Sequence, residues 1–260
     1  MRTKIIIGNW KMNKTRQEAF DTIAAFTDLV SDVDGVEYGF CPPFVYLAEL
    51  ATSSSISIGF GAQDVFWMPG GAFTGYTSAA MLNDIGAKYA IIGHSERRGR
   101  FGKLEVPETT VASFAETDET VNLKLKACLA AGIVPIVCCG ETLAEREAGN
   151  TDSVIATQIA GALDGISESD LAPLVIAYEP VWAIGTGKVC DSTEANRVCA
   201  MIRACLPKSI HASTRIQYGG SVNPGNAKEL FSQPDIDGGL VGGASLKAED
   251  FAQVVRAAVV

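Results

Sequence analysis

Long apolar runs are missing from this chain of 260 residues. Near its amino end only Ile5, Ile6 and Ile7 stand together, fewer than the ~7 to 15 residues of a signal-peptide core, and no stretch reaches the ~18 apolar residues of a membrane-spanning helix. A soluble chain that is not exported is expected. Basic runs are missing as well: the longest is the pair Arg97 and Arg98, and 21 Lys and Arg stand against 30 Asp and Glu for a net charge of −9. That balance speaks against a nucleic-acid binder, which needs a basic face. It would also repel an anionic substrate unless a local cation and backbone donors override it.

Histidine is scarce, with His94 and His211 the only two. No Cys-x-x-Cys spacing occurs, so a zinc site has little support. The seven cysteines are an odd number. Cys138 and Cys139 adjoin on an apolar run that reads as a strand, where neighbours point to opposite faces. The pattern fits reduced thiols in a cytoplasmic compartment. What the chain does have is 47% hydrophobic residues with 20% charged, the balance of a folded globular core. It also has 26 glycines, one residue in ten against a usual share of about 7%.

Eight short β-type runs recur, each followed by a segment able to form helix: Lys4 to Gly8, Val36 to Cys41, Ile56 to Ala62, Tyr89 to Gly93, Ile133 to Cys139, Leu174 to Tyr178, Thr214 to Tyr218, and Gly239 to Val241. Val198, Met201, Ile202 and Cys205 form an apolar stripe behind the helix-start signal Asp191-x-x-Glu194, and Val121, Leu125, Cys128 and Leu129 form a second. Strands alternating with helices imply right-handed βαβ units and a parallel sheet buried on both faces. Eight units in about 250 residues fit a closed (β/α)8 barrel, an α/β fold of eight parallel strands surrounded by helices. No Gly-x-Gly-x-x-Gly follows the first strand, which removes the main sign of a dinucleotide fold. No linker divides the chain, so residues 1–260 read as a single domain.

Chemistry in such a barrel belongs at the carboxyl ends of the strands. Strand one runs into Asn9-Trp10-Lys11, readable as a turn with a surface lysine or as a cation at a site. Strand four runs into His94-Ser95-Glu96-Arg97-Arg98, where a helix amino end near the ring would keep the imidazole neutral; a purely structural histidine and ion-pair network is the other reading. Strand six ends in Glu179, followed by Pro180, Val181, Trp182, Ala183, Ile184, Gly185, Thr186, Gly187 and Lys188. A carboxylate there can be desolvated when the segment closes over it, which raises its proton affinity toward that of a general base; an ordinary glycine-bearing loop with a surface glutamate is the other reading. Pro180 at one end and Gly185 and Gly187 at the other suit a lid on two hinges. Gly219-Gly220-Ser221 and Gly242-Gly243 after the last two strands expose amide groups that can approach a phosphate.

Asn9-Trp10-Lys11-Met12-Asn13, Ile91 through Arg98, Ala177 through Lys188, Tyr218-Gly219-Gly220-Ser221-Val222 and Leu240 through Lys247 together resemble the triosephosphate isomerase family, from the first strand to the last helix. The resemblance implies interconversion of dihydroxyacetone phosphate and D-glyceraldehyde 3-phosphate through an enediolate, in glycolysis and gluconeogenesis, with no metal or organic cofactor. It implies Glu179 as the base and neutral His94 as the group that polarises the carbonyl and helps shuttle protons between the two oxygens of the enediolate. Lys11 would stabilise the enediolate and the phosphate, with Asn9 orienting the site. Gly185, Ser221, Gly242 and Gly243 would hold the phosphate, Ile184 and Leu240 would dry the base, and Glu96 would pair with Lys124 behind the site.

Three departures stand out. Lys103 to Ala115 reads as an insertion of thirteen residues. Asp64 stands where the family usually has Asn, and Tyr76 where it often has Glu. The family resemblance further implies a homodimer in which Thr74 reaches the partner's Asn9 and Lys11. The missing Glu would have paired with the partner's Arg97, a loss that Glu105 or Glu108 of the insertion could compensate. Other readings are a different phosphate-binding barrel isomerase or lyase, and a catalytically silent binding barrel; the latter predicts loss of Lys11, His94 or Glu179, all of which are present.

Overall fold

The computed structural model describes residues 2–53, 58–103 and 106–259. Its strands are β1 (Lys4–Asn9), β2 (Val36–Cys41), β3 (Gly59–Ala62), β4 (Tyr89–Ile92), β5 (Val134–Cys139), β6 (Val175–Tyr178), β7 (Arg215–Tyr218) and β8 (Gly238–Val241). Each pairs in parallel with the next, and β8 returns to β1 through Ile5↔Gly238 to Gly8↔Val241, closing the barrel. The α/β barrel expected from the run of strands is therefore the fold. The part of the third run before Gly59 falls partly on residues 54–57, outside the described residues.

Alternation along each strand sorts the apolar residues into two clusters. Ile5, Ile7, Tyr89, Ile91, Ile136, Cys138, Val175, Ala177 and Leu240 pack together inside the barrel. Ile6, Phe40, Ala90, Ile92, Val137, Cys139, Ile176 and Ile216 join the larger core between sheet and helices. The adjacent Cys138 and Cys139 thus face opposite ways, as a strand requires. A strand buried on both faces needs an apolar residue at nearly every position.

The surrounding helices are α1 (Arg16–Leu29), α2 (Phe44–Ser53), α3 (Ala79–Asp84), α4 (Asp118–Ala130), α5 (Leu143–Glu147), α6 (Thr151–Leu163), α7 (Ser192–Cys205), α8 (Ala227–Phe231) and α9 (Ala248–Arg256). Asp191 caps α7 by accepting the Glu194 amide at 2.8 Å, which is why the helix starts there. Its buried face is Ala195, Val198, Cys199 and Ile202. Met201 is only half-buried and Cys205 is exposed, so the stripe expected over 198–205 is rotated. The reason is Arg203, buried beside Ile202 and paired with Asp235 and Asp237. On α4, Val121, Leu125 and Cys128 of the expected stripe are buried and Leu129 is half-buried against the core.

An aromatic group ties the first strand to the last helix: Phe40 lies 4.7 Å from Phe251 and 5.2 Å from Trp10 between ring centres. The Trp10 indole donates to Ser245 O at 3.0 Å. This anchors the loop after β1 against the loop after β8, the two segments that carry Lys11 and the Gly242-Gly243 pair. The proposed insertion contributes a short 3-10 helix, Glu108–Ser113.

Candidate active site

Lys11, His94 and Glu179 arrive at the same end of the barrel and line one cavity of about 580 Å³ with Asn9, Ile184, Gly185, Gly219 to Ser221, Leu240, Gly242 and Gly243. Lys11 has φ of +50°, a conformation uncommon in residues with a side chain. It persists because its surroundings over-determine it. Asn9 Oδ1 accepts its amide at 3.0 Å. Gln63 donates 2.8 Å bonds to both its carbonyl and that of Cys41. The Lys11 ammonium lies 2.6 Å from Glu96 Oε1.

The chain leaves β4 through a turn in which the amides of Arg97 and Arg98 both donate to His94 O. The Glu96 amide donates to His94 Nδ1 at 3.2 Å. This places Nδ1 as the acceptor and Nε2 as the donor of the ring. Nε2 faces Glu179 Oε1 at 2.9 Å.

Glu179 is buried, with its own amide bonded to Cys139 O at 2.8 Å. Gly140 makes this approach possible, since a Cβ there would sit 1.7 Å from Glu179 O. The carboxylate accepts the Ser95 amide at 2.9 Å and the Ser95 hydroxyl at 3.3 Å. Burial pushes its proton affinity up, but His94, the Ser95 amide and the Lys11 charge together outweigh burial and hold it below the usual carboxylate value. The expectation of a raised value is corrected for this pose: three donors converge on the same two oxygens.

The lid expected over 180–188 begins with a buried 3-10 turn, Val181–Ala183. Glu141, fully buried after β5, anchors it: the Trp182 indole donates to Glu141 Oε1 at 2.7 Å, and the Val181 amide donates to Glu141 O at 3.1 Å. Burial, the largest influence, raises the Glu141 carboxyl above its ordinary value. Arg146 lies 4.4 Å over the Trp182 ring. Beyond the turn, Gly185 and Gly187 have φ of +67° and +77°, as flexible hinge positions allow. The Ser221 hydroxyl reaches the lid at Ala183 O, 3.1 Å away.

Lys124 does not pair with Glu96. It is buried on the inner face of α4 and forms ion pairs with Asp64 and Glu116, whereas Glu96 is part-exposed and taken by Lys11. A buried ammonium keeps its charge only beside buried carboxylates, and Asp64 in place of Asn supplies one. Burial, the largest influence, raises the Asp64 carboxyl, with Lys124 opposing it. Asp64 also pairs with Arg97 at 2.8 Å, and Glu116 pairs with Arg97 at 3.1 Å. Arg97 is therefore satisfied within its own chain. Glu108 forms no ion pair among the described residues, and Glu105 lies outside them. Thr74 sits exposed in the loop after β3.

Reading the sequence left Gln63 and Glu141 without a role and gave Ser95 none of its own. Gln63 and Glu141 each follow a strand, β3 and β5, so inspecting every strand end would have found them.

A carboxylate, an imidazole and an ammonium around one cavity at this end of the barrel are groups able to move protons, as an isomerase of the (β/α)8 class requires. The family model for triosephosphate isomerase matches residues 4–258. A triosephosphate isomerase of Citrifermentans bemidjiense is 50% identical over 261 residues, covering 98% of this chain and 99% of the relative. One of Rhodopirellula baltica is 48% identical over 262 residues, covering 99% and 98%. The chain belongs to the triosephosphate isomerase family.

Proposed function

We propose that Glu179, His94 and Lys11 carry out the family's reaction, the interconversion of dihydroxyacetone phosphate and D-glyceraldehyde 3-phosphate. Glu179 turns from Ser95 and removes the proton from the carbon next to the carbonyl. The electron pair moves onto the carbonyl oxygen, giving an enediolate. His94 Nε2–H and the Lys11 ammonium stabilise that oxygen; His94 gives it a proton and takes one from the hydroxyl on the neighbouring carbon, and the protonated Glu179 returns its proton to the carbon that bore the carbonyl. Proton traffic alone balances the reaction, so no cofactor is called for. The amides of Gly185, Ser221, Gly242 and Gly243, with the Ser221 hydroxyl, are the phosphate ligands. Ile184 and Leu240 exclude water, in which an exposed enediolate would eliminate its phosphate.

The observation that carries this reading is the pairing, at one cavity, of a buried carboxylate with an imidazole nitrogen at 2.9 Å. Coupled assays supplying each triose phosphate in turn test it, together with titration of 2-phosphoglycolate, a two-carbon phosphate carboxylate resembling the enediolate. Turnover in both directions and tight binding are expected. Turnover of neither triose would discard the reading.

The protein is further proposed to act in the cytoplasm, where its free cysteines suit a reducing medium, and as a homodimer. The loops after β1 and β3 expose Met12 (97%), Phe73 and Tyr76 beside Thr74, and the first turn of α2 exposes Val45 (87%); Tyr76 stacks on Phe66 at 4.2 Å. Clustered exposed apolar side chains of this kind mark an interface. Because Arg97 is paired internally, association should depend little on salt. Sedimentation at low and high ionic strength should show the same dimer, and Thr74→Arg should yield monomers. A dimer that dissociates in high salt would mean that intersubunit ion pairs dominate after all.

A further inference from the structure

One ion pair near the lid takes no part in the chemistry above. The turn 99–103, which follows the His94 segment, lies directly against the lid. A Cβ on Gly102 would stand 2.4 Å from Ile184 O, 2.7 Å from Val181 O and 2.8 Å from Thr186 Cγ2, so only glycine allows the turn to press on the lid backbone. In the middle of this turn, Arg100 reaches across to α5 and pairs with Glu145. A narrow crevice lined by Arg100, Ser95, Glu179 and Val181 joins the turn to the parked base.

Glu145 is a fixed post rather than a mobile surface acid. The oxygen that takes Arg100 also accepts the Thr142 amide at 2.7 Å and its hydroxyl at 2.9 Å, completing the capping box of α5. The next residue on α5, Arg146, covers Trp182 and bonds Glu194 on α7 at 3.0 Å. One short helix therefore holds the turn on one side of the lid and the Trp182 hinge on the other. The proposed insertion closes on the turn from outside: Phe114 meets Phe101 edge-on at 6.2 Å, and Val111 fills the space where a Gly99 side chain would lie.

We propose that Arg100, fixed by Glu145, is a positioning residue that braces the lid in the pose in which Glu179 rests on Ser95. The proposal rests on the reading of Glu179 and the lid given above. A brace that favours this pose adds to the free energy of closing and speeds reopening. Removing it shifts the population toward the closed lid, which ligands that need closure then bind more tightly. Reopening slows, and turnover slows with it when release is limiting.

Steady-state kinetics and 2-phosphoglycolate titration of the full chain test this in R100A, R100K and E145Q. Glutamine retains the capping acceptor for Thr142 while losing the charge, so E145Q separates the ion pair from the helix cap. R100A and E145Q are expected to bind 2-phosphoglycolate about three- to fivefold more tightly. Their kcat and KM should fall together, and R100K should restore values near those of the parent. Unchanged constants, or weaker binding, in E145Q would overturn the brace while leaving the site reading intact, and this holds even if R100A fails to fold. If the unaltered protein did not bind 2-phosphoglycolate, both would fall.

Discussion

Glu179→Asp should lower kcat by about 10²-fold, and Glu179→Gln by about 10⁴-fold, in coupled assays run in either direction. Aspartate keeps the charge but withdraws the carboxylate by one methylene, and a displacement of about 1 Å at a reacting group is worth roughly two decades. Glutamine keeps the shape and an acceptor for the Ser95 amide but has no basic oxygen. Both variants should fold, because the strand-end position is set by backbone contacts, the Glu179 amide on Cys139 O and the Gly140 approach, which the side chain does not supply. The pH profile gives an independent check. Burial raises the Glu179 proton affinity, yet His94, Ser95 and Lys11 hold it below 4.5. A base with a depressed value stays ionised as pH falls, so kcat/KM, once corrected for the second ionisation of the substrate's phosphate near pH ~6, should remain flat from neutrality down through the ordinary carboxylate range before it drops. A fall near pH ~6 that persists after that correction would show that the ligand-free enzyme keeps its base away from the Ser95 donors.

The difference between what the residues foretold and what the coordinates contain follows from range. Parallel strands buried on both faces must be apolar almost throughout, so eight runs were visible, most to within a residue or two of their ends. The strand-end rule of barrels then made Lys11, His94 and Glu179 candidates without any contact being known. Burial of Glu179 was legible from the apolar segment after it. The donors that reverse its effect were not, because Ser95 and Lys11 reach it only through the closed barrel. Likewise Lys124 had three acids to choose from. Which of them it meets depends on burial depth: the inner face of α4 brings it to Asp64 and Glu116, while Glu96 stays near solvent with Lys11. Asp64 was visible as a departure, but its consequence, an Arg97 satisfied within its own chain, needed the fold.

Lys11→Met should lower kcat/KM by about 10³-fold, with a KM rise accounting for part of the loss. The chain carries a net charge of −9, and its substrate is an anion that gains further negative charge in the enediolate. Only nearby positive groups can reverse that balance. Two unit charges 4 Å apart at an effective dielectric of about 20 attract by about 4 kcal/mol, equivalent to roughly 10³ in rate or binding. Lys11 and Lys247 both line the cavity, and of the two it is Lys11 that follows β1 beside Asn9. Its backbone, held at a positive φ by Asn9 and Gln63, keeps that charge in place before substrate arrives, so little reorganisation is needed. Loss of the ammonium also leaves Glu96 without its partner, placing an unbalanced negative charge beside the site. Lys11→Met/Glu96→Gln separates the two effects. If part of the loss comes from the freed carboxylate, the double variant should recover activity relative to Lys11→Met, while remaining well below the parent because the enediolate still lacks its cation. Recovery to parental activity would mean that Lys11 serves only to neutralise Glu96, and the assignment of Lys11 to the developing oxyanion would then be withdrawn.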